Sequence, residues 1–196
     1  MKLKKSYKVF KVSKKVKRDV DTNNLFDYGV DEKSRTILLY GEIDDNPTYM
    51  FECAMTLLEG LSKDPINIRL NTIGGSIMVG NSIVDRILSP SCETHIHASG
   101  EVASMGVFIL ASGDYRTASS LTAFMHHEDA YEAEGRHSHN KNYIKFAERQ
   151  DLIMCQWLAT RTNKDAKFWK TTGVELDHWF TVKEALEYGL IHEVVN

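Results

Sequence analysis

Short apolar runs alternate along this chain with longer stretches in which apolar residues return every three or four positions. Residues 36–43, TILLYGEI, form a β-branched and aliphatic run between polar residues, the pattern of a buried strand. Asn46 and Pro47 then open a segment, 47–62, in which Met50, Phe51, Ala54, Leu57, Leu58 and Leu61 recur at helical spacing. Pro65 punctuates its end. A second cycle follows, with a strand over 66–71, a Gly-Gly turn at Gly74 and Gly75, and an apolar helix over 77–88. After Pro90 a third begins: Thr94, Ile96 and Ala98 alternate along a strand, Gly100 interrupts it, and an apolar helix covers 104–111. A strand over 122–127 comes next. Strands separated by helices of this length predict an α/β fold, a mainly parallel sheet joined by right-handed crossovers with helices packed on it.

Beyond this rhythm, residues 130–139 turn polar and rich in Glu and His. Tyr143, Ile144, Ala147, Met154 and Leu158 trace a long helix over 140–161, its apolar pattern interrupted at Gln150 and Asp151. Such a helix is longer than one small domain needs to cover its own sheet, and is expected to project or to pack between subunits. Near the C-terminus Thr181 and Glu184 spell a capping box, Gly189 is placed to end the short helix that follows, and 190–195 reads as a closing strand. With no internal repeat and no linker, the organisation expected is a basic arm over 1–24 and one domain over 25–196.

Composition narrows the class. The chain has 196 residues, 42% hydrophobic and 26% charged, enough to bury a real core, which excludes a disordered or fibrous protein. No run of eighteen apolar residues occurs, and the first residues mix lysines with single hydrophobes, so a soluble, cytoplasmic protein is expected. Cys53, Cys92 and Cys155 are odd in number and far apart, and read as reduced, packed thiols. Nine basic side chains crowd the first eighteen residues, so a net charge of −3 leaves about −12 on the rest. That arm has only Tyr7 and Phe10 as aromatics and no recognised motif; a solvated or partner-contacting segment is expected, not a nucleic-acid binder.

Candidate chemistry concentrates in three places. Ser104 lies in GEVASMGVFILASG, where a strand ends and an apolar helix begins at or just after the serine. A hydroxyl there faces free backbone N–H groups and the positive end of the helix dipole, which stabilise an oxyanion, and Met105 N–H is the natural donor. In NTIGGS, Gly74 and Gly75 lack side chains and let a substrate backbone approach, although tight turns use the same pair. No GKS or GKT follows, so nucleotide binding has little support. His126 and His127 stand at the C-terminal end of an apolar strand, the usual edge for catalytic groups in such a sheet, and by position either could serve as base. The pairs His95/His97 and His137/His139 have no obvious third ligand, and no metal is expected.

The segments LNTIGGS, GEVASMGVFILASG, TAFMHHED and TVKEALEYGLIHEVV, in this order and at this spacing, resemble the proteolytic subunit of Clp protease (ClpP) over 25–195. The resemblance implies a ClpP/crotonase-like fold with a handle helix and a serine endopeptidase with the triad Ser104, His126 and Asp177. Aligning AFMH with the family's VMIH gives His126 the base and puts His127 in the place of a glutamine. Gly75 and Met105 would supply the oxyanion-hole amides, and Gly74, Gly75, Ser76 and His127 would line the substrate. It further implies two stacked seven-membered rings, unfolded polypeptide substrates and a partner AAA+ unfoldase. That partner would use the ATP; the chain itself would need no cofactor and no membrane.

The match also departs from the family pattern. Ile73 replaces a proline before the Gly-Gly pair, the chain continues with Glu128-Asp129 where a proline usually follows the His-Gln pair, and Leu176 replaces an arginine before Asp177. Such differences suit a phage-encoded or otherwise specialised member. Alternatives are a capsid-maturation protease, a non-catalytic structural ring subunit, and a crotonase-like acyl-CoA enzyme that shares the backbone oxyanion hole without the triad.

Overall fold

The computed structural model describes residues 23–130 and 135–196, so the basic arm expected over 1–24 lies almost wholly outside the described residues. A short helix α1 (Asn23–Tyr28) and strand β1 (Val30–Asp31) lead into β2 (Thr36–Ile43), α2 (Asp45–Leu61), β3 (Ile66–Gly75) and α3 (Ile77–Leu88). Then come β4 (Thr94–Ala103), α4 (Met105–Ser112), β5 (Tyr115–Ser119) and β6 (Ala123–His126). The remainder is α5 (His137–Arg161), α6 (Ala166–Thr171), β7 (His178–Thr181), α7 (Val182–Glu187) and β8 (Glu193–Val195).

The strands form one sheet in the order β1-β2-β3-β4-β5-β8, parallel from β2 to β8, with β1 antiparallel at the edge. The α/β architecture is therefore the one the pattern predicts. β4 is long enough to serve two partners. Its first half pairs with β5 through His95–Ala98, and past Gly100 its second half pairs with β6, Ala103 lying opposite Met125. β7 adds antiparallel to β6. The sheet thus forks at β4, and the fork ends beside Ser104.

Alternating burial makes the core. In β3, Ile66, Ile68 and Leu70 are fully buried, and so are Ile96 and Ala98 of β4, against Phe51, Met55 and Leu58 of α2 and Ile83 and Ile87 of α3. Helix α4 is different: all eight of its residues are buried, because it runs through the interior. Its last carbonyls are held by arginines, Ala111 O accepting from both Arg116 and Arg161, and Ser112 O and Gly113 O from Arg161. Such charge at a helix C-terminus satisfies groups that no helical N–H can reach.

Several expectations are corrected. Gly74 and Gly75 do not form a turn after β3; they are its last residues, paired with Glu42 and Ile43 of β2. The long helix begins at His137 and is unbroken, for Asp151 is buried and ion-paired with Lys170 of α6. Its buried residues begin at Asp151, and the turns before it project from the core. β5, α6 and β7 were not legible as separate elements, while the capping box Thr181/Glu184 forms as spelled.

Candidate active site

The carboxyl ends of β3, β4 and β6 converge, as open parallel sheets direct their chemistry. Ser104 sits where β4 passes into α4, with φ of 53° and ψ of −120°. A β-carbon residue pays a steric cost there, and strain of this kind is characteristic of nucleophile elbows, in which the hydroxyl is thrust out of the chain. Ser104 N–H donates to Met125 O at 2.8 Å, tying the elbow to β6. The Met105 N–H lies in the first turn of α4, where no earlier carbonyl of the helix can accept it.

Gly74 faces this elbow. Its φ is +92°, and a methyl group added to it would stand 2.6 Å from Ser104 Cβ and 3.0 Å from Met105 N, so only glycine fits. Its own N–H is taken by Thr72 Oγ1 at 3.0 Å, and the same buried hydroxyl donates to Gly41 O. Thr72 therefore pins the segment that carries the glycine pair. Gly75 packs instead against the backbone of Ile43, yet both glycines line the cavity in front of Ser104.

The base expected beside Ser104 was His126. The structure puts His127 there: its Nε2 lies 2.9 Å from Ser104 Oγ. The reason is strand alternation, by which neighbours in β6 face opposite sides of the sheet. Phe124 and His126 are buried on the core side, whereas Met125 and His127 are only half-buried and His127 reaches Ser104. His126 is 2% exposed, and its Nε2–H donates to Trp169 O at 2.8 Å, which leaves Nδ1 buried without a partner among the described residues. Burial pushes its pKa down to about 4, so at neutral pH it is an uncharged packing residue between Phe108 and Trp169.

The expected acid, Asp177, comes to the same place by another route. In the antiparallel ladder His126 pairs with His178, and continuing that register by one residue sets Asp177 opposite His127. Both line a second cavity with Glu128, Asp129 and Gly173. Asp177 is exposed and makes no hydrogen bond to His127 in this structure. Gly173 seats the histidine: a methyl group there would strike His126 O at 2.6 Å and His127 Cα at 2.8 Å, and its carbonyl accepts from Glu128 N–H. Ser76, expected to line the substrate, caps α3 by accepting from Val79 N–H.

A model of the Clp protease family matches residues 17–196. The chain belongs to the Clp protease family. Among its relatives is the ATP-dependent Clp protease proteolytic subunit 2 of Pseudomonas aeruginosa, 27% identical over 83% of this chain and 82% of that one. The proteolytic subunit 3 of Rhizobium etli is 28% identical over 84% and 85%. Among solved structures, a point mutant of ClpP1 from Listeria monocytogenes superposes with a TM-score of 0.78, at 27% identity over 84% of this chain and 93% of that one.

Within this Clp fold, the other histidines stay apart from the cleft. His97 is bonded to Thr117 and Ser119 on the far part of the sheet, and among the described residues no group of three or more His, Cys, Asp or Glu side chains could hold a metal ion. No helix among the described residues is long and apolar enough to cross a membrane. Sequence reasoning missed Thr72 and Gly173, and by position left His126 and His127 both open beside Ser104; the alternation of Phe124, His126 and Met125, His127 carried the signal that separates them.

Proposed function

We propose that the chain is a serine endopeptidase in which Ser104 is the nucleophile, His127 the base and Asp177 the acid that orients it. The observation that carries this reading is the 2.9 Å approach of His127 Nε2 to the hydroxyl of a strained serine at a helix N-terminus. A serine hydroxyl is a poor nucleophile until an imidazole takes its proton. In the first step Ser104 Oγ bonds to the peptide carbonyl carbon while its proton passes to His127 Nε2. The carbonyl oxygen takes the negative charge and is met by the Met105 N–H, with Gly75 N–H as second donor. The carbon–nitrogen bond then breaks, His127 returns the proton to the leaving amine, and water repeats the sequence to release the acid and restore Ser104.

This assignment needs Nδ1 of His127 to carry a proton, and Asp177, one register step away across β6–β7, is the carboxylate proposed to accept a hydrogen bond from that N–H. Extended substrate would lie along the β3 end and the segment after His127, bonded through its backbone. Assembly into rings fed by an AAA+ unfoldase is part of the same reading. It is supported by the projecting half of α5 and by apolar side chains left on the surface of α2, Tyr49 at 72% and Leu57 at 36% exposure.

The test is a fluorophosphonate probe and a fluorogenic peptide applied to wild type and Ser104→Ala, with particle mass measured in solution. Labelling and cleavage that vanish in the variant, on a particle of many chains, are the expected result. A wild-type chain that neither reacts nor cleaves when assembled returns the assignment to a structural subunit.

A further inference from the structure

The cavity in front of Ser104 has a volume of about 270 Å³ and is of mixed character. Met105, Phe108, Met154 and Ile77 give it apolar walls, while Asp129 stands on its rim. Among the described residues lining it there is no lysine or arginine. Asp129 is half-buried and has neither a hydrogen bond nor an ion pair among the described residues. Lys170 is near enough to act on it but is ion-paired with Asp151, so one cation stands against two carboxylates. Desolvation outweighs the pull of Lys170 and His127 and raises the Asp129 pKa. A carboxylate in that state gains from a cation brought to it, because both charges are then shielded from water.

We propose that Asp129 is a specificity-determining residue that selects, in the peptide cleaved at Ser104, a side chain with an apolar stem and a cationic end, lysine or arginine, before the scissile bond. The methylenes of such a side chain lie along Phe108, Met105 and Met154, and its charge reaches Asp129 at the rim. This rests on the peptidase reading. An acidic side chain in the same position would meet Asp129 and Glu128 and be disfavoured.

The test uses the full chain and three peptidyl diphenyl phosphonates, identical except for lysine, leucine or glutamate at the position that fills the cavity. The rate constant for labelling of Ser104 is measured for each, with wild type, Asp129→Asn and Asp129→Lys. Expected is a lysine-to-leucine ratio that falls about tenfold in Asp129→Asn, and a preference that turns from lysine toward glutamate in Asp129→Lys. Ratios taken within each variant are insensitive to any general loss of activity. Equal ratios in all three proteins overturn the inference and leave the peptidase reading standing; absence of labelling by every phosphonate overturns the peptidase reading and this inference with it.

Discussion

The two flanks of the candidate active site are built in different ways. On one, Ser104 and His127 are fixed by the interior: α4 is buried on every side, the elbow is bonded to β6, and Thr72 and Gly173 lock the segments behind them. On the other, Asp177 follows the exposed residues Val174, Glu175 and Leu176, and among the described residues makes no hydrogen bond to His127. The proposed nucleophile and base are therefore preformed by core packing, whereas the proposed acid depends on how its loop settles against the ladder of β6 and β7. Preformed geometry resists perturbation, and a loop-borne group responds to its surroundings.

The comparison breaks most decisively at His127. His127→Ala should lower peptide hydrolysis by roughly 10⁴-fold or more, close to the loss in Ser104→Ala, because the two act as a unit. His126→Leu, although at the adjacent position, should change kcat/KM less than about tenfold, since it touches no reacting atom. If the two histidine variants were reversed, the strand-face assignment would fall. Asp177→Asn comes next, with an expected loss of roughly 10³-fold or more in kcat. A smaller loss would mean that the loop never delivers the carboxylate.

Gly74→Ala sharpens the packed flank. Its methyl group collides with Ser104 Cβ at 2.6 Å, and displacement of the serine should cost about 10²-fold in kcat/KM while circular dichroism still reports a folded chain. The smallest effect is on stability. The folded-state pKa of His126, about 4, lies below its ordinary 6.5, so the unfolded chain binds the proton first. The stability tied to the neutral ring is intact above about pH 6.5 and is lost as the pH falls toward about 4, by up to ~3 kcal/mol. Denaturant midpoints measured across that window should flatten in His126→Leu; an unchanged slope would place the acid sensitivity elsewhere.

Much of this is legible in the sequence. Helix α3 ends where its pattern says, and the elbow at Ser104, the Gly-Gly pair and the capping box at Thr181 all follow from residue chemistry. The motif match put His126 rather than His127 beside Ser104 because two histidines stand side by side and such a match can slip by one residue. A slip of one in a strand exchanges the two faces, so the burial of Phe124 and not the spelling of MHH decides between them. The glycines of β3 were read as a turn because a Gly-Gly pair after a strand usually marks one, yet here they continue the ladder while clearing space for the elbow. Asp151 in α5 looked like an interruption because its partner Lys170 lies in α6, a contact that helical spacing within one segment does not reveal.

The backbone of Ser104 has an evolutionary consequence. Holding a side chain at φ of 53° costs of order 1–3 kcal/mol, and no packing contact in the core requires that the residue be serine. In a lineage freed from selection for cleavage, drift runs downhill toward glycine at this position, while α4 persists because the fold needs it. Replacing Ser104 with glycine is thus the change that would release this strain while forfeiting the hydroxyl on which the proposed cleavage rests.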